Sequence, residues 1–193
     1  MQAPSTILPH LGPPAEVMPV HWGRLATALG PVYAAATPEG VVSITTSVGS
    51  DDRFVAELEA DLGPRAHLIA GASPILDTAL AELAGYFAGA TRTFTVPLDL
   101  RLLRGAFNHR VLVELRTVPW GHLVSYSELA RRVGAPRAAR AVGSACKHNP
   151  LALVIPCHRV VHANGGIGGY GAPGIAYKRA LLAIEGIVFP VTS

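Results

Sequence analysis

Residues 151–161 read LALVIPCHRVV. The run is aliphatic enough to be buried, yet Pro156, Cys157, His158 and Arg159 interrupt it. An arginine in a core needs a partner, and a buried imidazole needs hydrogen bonds. Neighbouring side chains on a strand point to opposite faces. Either this segment is no regular strand, or Cys157 and His158 do not meet directly. Whatever fold the chain takes, it must bring partners to this one stretch.

The rest of the chain can supply a core. Half of the 193 residues are hydrophobic, while aromatic (6%) and charged (15%) residues are scarce, so the core is aliphatic. The only cysteines are Cys146 and Cys157, which rules out a disulfide framework and points to a reducing, cytoplasmic setting. No apolar run approaches the ~18 residues of a membrane span, so no membrane partner is expected. The proline-rich start lacks the basic and apolar regions of a signal peptide and reads as an extended tail over 1–20.

Charge divides the chain. Residues 1–100 hold four Lys/Arg against ten Asp/Glu, a net −6. Residues 101–193 hold twelve against three, a net +9. The second half is suited to a polyanion, although a basic solvated surface reads the same way.

Local patterns predict an α/β (α+β) chain: a small N-terminal α/β domain (21–95) with an antiparallel sheet, and a mainly helical C-terminal domain (96–193). Residues 22–47 fit an antiparallel meander. Helices are expected over DDRFVAELEADL, stopping at Gly63, and from Ser73-Pro74 to about Gly89. Further helices are expected over 107–118, 126–133, from Pro136 to His148, and 177–185. Ser125 and Glu128 match a capping box. The helices at 126 and 136 have the outline of a helix-turn-helix, and the second carries Arg137, Arg140 and Lys147 among small residues.

Cys157 is the candidate nucleophile. A cysteine in an apolar run is most often inert, but the inserted Pro-Cys-His-Arg argues for a reactive one. Glu185 is one of three acids in the second half and could orient His158; it could equally be a solvated helix-end carboxylate. Cys146, His148, Cys157, His158 and His162 fit no usual zinc spacing, so no metal is expected. GIGGYG (166–171) formally matches G-x-G-x-x-G but lacks the strand–turn–helix context, so no dinucleotide cofactor is expected. It reads as a flexible loop able to close over a flat substrate.

Taken in order, VSYSELA (124–130), PRAARAVGSACKHNPLALVIPCHRVV (136–161), GGIGGYG and KRALLAIEG (178–186) closely resemble the O6-alkylguanine-DNA alkyltransferases, or methylated-DNA–protein-cysteine methyltransferases. The resemblance is strong over about 96–193 and only in outline before that. It implies DNA repair by stoichiometric transfer of an alkyl group from O6-alkylguanine, and from O4-alkylthymine, to Cys157 after nucleotide flipping. It implies no cofactor and a monomer acting on double-stranded DNA from the minor groove. By position, Cys157 is the acceptor, activated through a water held by His158, which Glu185 orients. Asn149 holds the turn, and Tyr126 donates a hydrogen bond to the guanine ring nitrogen. Arg140 fills the space left by the flipped base, and Ala139 and Ala141 allow close approach. Arg137, Lys147 and Ser125 complete the DNA face. Tyr170, Gly171 and the Val160 backbone line the base pocket. Where many relatives carry a hydroxyl residue after the tyrosine, this chain has Gly171, which offers only its N–H. The N-terminal half has no cysteine, so it holds neither a cysteine zinc site nor a methyl-sensing module.

Two other functions fit parts of this pattern. A non-catalytic lesion binder would need no acceptor cysteine, which this chain has. A thiol hydrolase using Cys157, His158 and Glu185 would turn over many times.

Overall fold

The computed structural model describes residues 17–46, 49–171 and 173–189. The first sixteen residues of the expected tail lie outside these, and strand β1 (Met18–Leu25) already begins within its last three positions. Strands β2 (Val32–Thr37) and β3 (Gly40–Thr45) follow β1 as the expected antiparallel meander. A fourth strand, β4 (Ala66–Ala70), joins the far side of β1 in parallel, so the sheet is mixed and its order is β3-β2-β1-β4.

Both faces of this sheet are covered. Tyr33 and Ala35 face helix α1 (Asp51–Leu62), which contributes Phe54 and Leu58. Val32, Ala34 and Ala36 point the other way, into a core shared with helix α2 (Pro74–Phe87) and with the C-terminal half. That alternation is the period of a strand. Burial of both faces explains why β2 reads as a continuous apolar run. Serines cap both helices: Ser50 accepts from the Arg53 amide and Ser73 from the Leu76 amide, each at 3.3 Å.

The outer edge of β3 does not meet solvent freely. Val41 N donates to Pro97 O (2.8 Å) and Asp99 N to Val41 O (2.9 Å). Further along, Ile44 N donates to Pro150 O (2.7 Å) and Ala152 N to Ile44 O (3.1 Å). The edge is thus capped by two C-terminal segments, one of which leads directly into Cys157. Gly40 is required here, because a Cβ would lie 2.7 Å from the backbone of residues 97–99.

The second half is helical: α3 (Ala106–Leu115), α4 (Tyr126–Arg132), α5 (Ala139–Lys147) and α6 (Gly174–Ile184). Ser125 caps α4, accepting from the Glu128 amide at 3.0 Å. The return half of the capping box is missing, because the Glu128 carboxylate pairs instead with Arg131 and Arg132. Helix α5 begins three residues later than expected. Pro136 and Arg137 lie in the connecting turn, and Ala138 is the N-cap. Val142, on the buried face of α5, donates its amide to Ala138 O (3.0 Å). A short parallel pair, β5 (Val124–Ser125) with β6 (Val160–Val161), ties the start of α4 to the cysteine segment. No helix among the described residues is long and apolar enough to cross a membrane.

Candidate active site

The cysteine segment is not a strand. Cys157–Arg159 forms one turn of 3-10 helix between the Leu151–Ile155 turn and β6. Two features shape the loop that leads into it. Asn149 Nδ2 donates to Ile155 O (2.8 Å) while its Oδ1 accepts from Leu151 N (3.0 Å), so one side chain clamps both ends of the preceding loop. Within the clamp Leu153 has a φ of +72°, a left-handed conformation rare for a leucine. The turn then presents Cys157, His158 and Arg159 in different directions, all of them buried.

His158 and Arg159 converge on Glu185, at the C-terminal end of α6. His158 Nε2 lies 2.7 Å from Glu185 Oε1. Arg159 Nε donates to Glu185 Oε2 (2.9 Å), its NH2 group donates to Oε1 (3.0 Å), and its NH1 group donates to Val118 O (2.6 Å). Gly121 N adds a donor to Oε2 (3.2 Å). Tyr86, from α2, donates its hydroxyl to Oε1 (3.0 Å) and lies 3.2 Å from His158 Nε2. Burial alone would raise the Glu185 carboxyl; hydrogen bonds from His158 and Arg159 overcome it and hold the pKa at about 2. Burial pushes His158 below its usual range, and the Glu185 carboxylate only partly offsets that.

These charges assign the tautomer. An ionised carboxylate can only accept, so a neutral His158 carries its proton on Nε2. Its Nδ1 then holds a lone pair. Nδ1 is buried and has no hydrogen-bond partner among the described residues.

Cys157 is 9% exposed and borders a cavity of about 660 Å³. Tyr126, Cys146, Asn149, Tyr170 and Gly171 share its wall. Burial pushes the Cys157 thiol up, and the Asn149 amide and the Lys178 charge offset this in part. The resting group is a thiol and needs a base to become a nucleophile. The glycine loop folds over Tyr126. Gly168 has a φ of +74°, and a Cβ there would lie 2.9 Å from the Tyr126 hydroxyl. The His162 ring packs on the other side of Tyr126, with centroids 5.2 Å apart.

The sequence-predicted residues separate into two groups. Cys157, Asn149, Tyr126, Tyr170, Gly171 and Lys147 border the cavity, with His158 and Glu185 behind the cysteine. Arg140, Ala141 and Lys147 are exposed on α5, with Ala139 partly so, and Arg137 is exposed in the turn before it. Ser125 is spent on capping α4. Val160 is not part of the cavity wall: it is fully buried, and its carbonyl accepts from Lys178 Nζ at 2.5 Å. Among the described residues, no group of three or more His, Cys, Asp or Glu is placed to hold a metal.

Sequence reasoning missed Lys178 and Tyr86. Lys178 is fully buried, and its Nζ also donates to Ile167 O (2.6 Å), anchoring the glycine loop to α6. Burial lowers its pKa to about 8. The signal was available: Lys178, Leu181, Leu182 and Glu185 occupy one i, i+3, i+4, i+7 stripe. Tyr86 gave none, because it lies on an ordinary apolar helix face in the other half.

The pattern for the DNA-binding domain of 6-O-methylguanine DNA methyltransferase matches residues 106–187. The constitutive methylated-DNA–protein-cysteine methyltransferase of Bacillus subtilis (strain 168) is 39% identical over 117 residues, which is 61% of this chain and 70% of that protein. The chain belongs to the methylated-DNA–protein-cysteine methyltransferase family. Within that family, the protein from Mycolicibacterium paratuberculosis is 50% identical over 107 residues, or 55% of this chain; the match spans 63% of the relative's own length. The crystal structure of Mycobacterium tuberculosis OGT in complex with DNA superposes with a TM-score of 0.69 at 37% identity, covering 86% of this chain and 92% of the other. Family membership therefore extends over both halves of the fold, including the sheet that the sequence resembled only in outline.

Proposed function

We propose that this protein repairs DNA by a single-turnover transfer of the alkyl group of O6-alkylguanine, and of O4-alkylthymine, to Cys157. The observation that carries this reading is the buried relay behind the cysteine. Glu185 is ionised, His158 Nε2 is protonated, and the Nδ1 lone pair has no partner among the described residues. A water bridging Nδ1 and the thiol completes the relay.

The thiol proton passes through the bridging water to His158 Nδ1, leaving a thiolate and an imidazolium stabilised by Glu185. The thiolate attacks the alkyl carbon, a C–S bond forms, and the bond from that carbon to guanine O6 breaks. Tyr126 gives its proton to the guanine ring nitrogen, so guanine leaves neutral. The imidazolium proton then passes through water to the Tyr126 phenolate, which restores a neutral His158 and a neutral Tyr126. No residue near the cavity can cleave a thioether, so each molecule acts once.

The lesion must leave the base stack to reach a thiol set this deep, at a cost of a few kcal/mol. The cavity is large enough for a base, and Gly171 offers it a backbone N–H. Helix α5 enters the minor groove, with Ala139 and Ala141 allowing close approach and Arg140 taking the place of the flipped nucleotide. Arg137 and Lys147 contact phosphates. Cysteine, relay and cavity all come from one chain, which fits action as a monomer, and a chromosomal DNA substrate fits a cytoplasmic protein.

Cys157→Ser tests this reading. It should lose transfer completely while holding O6-methylguanine duplex within about threefold of the parent affinity. Residual transfer in this variant would contradict the assignment of the acceptor.

A further inference from the structure

The acid–base relay is built from the second half, yet one of its contacts comes from the first. Tyr86 sits near the C-terminal end of α2, fully buried. Its hydroxyl is 3.0 Å from Glu185 Oε1 and 3.2 Å from His158 Nε2. Both atoms belong to the pair that sets the histidine tautomer. The hydroxyl hydrogen goes to the carboxylate, since that oxygen can only accept. The hydroxyl oxygen is then left to accept, and it faces the Nε2–H.

We propose that Tyr86 is a positioning residue for alkyl transfer, through which the N-terminal half holds His158 in the tautomer that leaves Nδ1 free to act as base. With both Glu185 Oε1 and Tyr86 Oη as acceptors, the Nε2–H has two partners on one side of the ring. The opposite tautomer would place a bare Nε2 lone pair against the carboxylate oxygen. Tyr86 removes that state by supplying a second acceptor and by fixing Oε1 in place.

The phenol is held firmly enough for this task. Its ring meets Trp120 edge-on at 5.3 Å and stacks on Phe94 at 5.8 Å. The α2 end is itself fixed against the chain that follows it: a Cβ on Gly85 would lie 2.1 Å from Thr91 Oγ1, so only glycine allows this approach. Tyr86→Phe removes one oxygen and keeps these ring contacts.

The role rests on the alkyl-transfer reading, and the test separates the two. In the full-length chain, the single-turnover rate constant for methyl transfer is measured against pH for the parent and for Tyr86→Phe. The side-chain 15N shifts of His158 are recorded in both. The groups facing the imidazole are Glu185, Arg159, Tyr86 and the more distant Lys178. Tyr86→Phe is expected to slow transfer about tenfold, the size of one hydrogen bond to a charged group. Its pH profile should shift, and its 15N shifts should move from a fixed Nε2–H form toward a mixture. Lesion affinity, measured in the Cys157→Ser background, should stay within twofold. A variant with a lower melting temperature but unchanged rate, profile and 15N pattern would show that Tyr86 only packs, and would overturn the proposal. If Tyr86→Phe does not fold, the parent decides: a protected Tyr86 hydroxyl proton with an NOE to the His158 ring supports the role, and its absence overturns it. A parent that transfers nothing would sink the functional reading, while the 15N comparison would still report on the tautomer.

Discussion

Five N–H and O–H groups surround the Glu185 carboxylate, from Tyr86, Gly121, His158 and two positions on Arg159. A buried ion pair with fewer partners would cost more in desolvation than it returns. Here nearly every acceptor site is filled, and the same groups that ionise the acid fix the base. Linkage then dictates the response to acid. Glu185 is held at about 2 instead of 4.5, which is on the order of 3 kcal/mol of stability at neutral pH. That contribution is fully present above about 4.5 and is lost as the pH falls toward about 2. His158 is held below its usual 6.5, so the unfolded chain takes up a proton that the native state refuses, and stability starts to fall below about 6.5. Melting curves from pH 7.5 to 4 should show Tm declining from about pH 6.5 and more steeply below about 4.5. A flat Tm across that range would contradict the buried relay. Part of this was legible in the sequence. Arg159 and His158 inside an aliphatic run demanded partners, and Glu185 was among few acids available. Which side of the ring the partner takes depends on three-dimensional placement, and Tyr86 lies 72 residues away.

Among the elements, helix α5 shows how a short helix serves two surfaces. Val142 and Ala145 are buried against the core, while Arg140, Gly143, Ser144 and Lys147 share one i, i+3, i+4, i+7 stripe. Gly143 and Lys147 reach the cavity wall, so the outer stripe runs from the exposed arginine to the cavity. Arg137→Ala and Lys147→Ala should each lower the slope of log affinity against log salt by about 0.9, equally for lesioned and plain DNA. Arg140→Ala should instead slow transfer from duplex far more than from single strands, because only a duplex leaves a gap to fill. An unchanged salt slope in all three would contradict this helix as the DNA face. Helix existence was readable from apolar spacing and caps; the start of α5 was not. Pro136 reads as a helix opener at the first position, but here it sits in the turn, two residues before the Ala138 N-cap. Likewise β4 was missed because AHLIA is too short to show a period, and it is fixed by pairing with β1.

At the scale of the whole molecule, the acidic and basic halves share one core, and the edge of β3 carries the loop that ends in Cys157. The sheet therefore acts as a backing plate for the Cys157 turn, and α2 delivers Tyr86 to the His158–Glu185 pair. In the proposed reading, the charge division along the chain matches this arrangement: the basic half meets the polyanion, and the acidic half supports it from behind. The pairing along the β3 edge joins backbones far apart in sequence, so no local pattern could announce it. The family's strongest motifs all fall in the second half, which is why the first was legible only in outline.

In the proposed reaction, Cys157 takes the alkyl group and keeps it. Incubation of the intact protein with excess O6-methylguanine duplex, followed by intact mass and peptide mapping, tests it most directly. A gain of one methyl group per chain is expected, located on Cys157, with repair stopping at one lesion per protein molecule. An unmodified Cys157 after complete exposure, or more guanine restored than protein present, would contradict it.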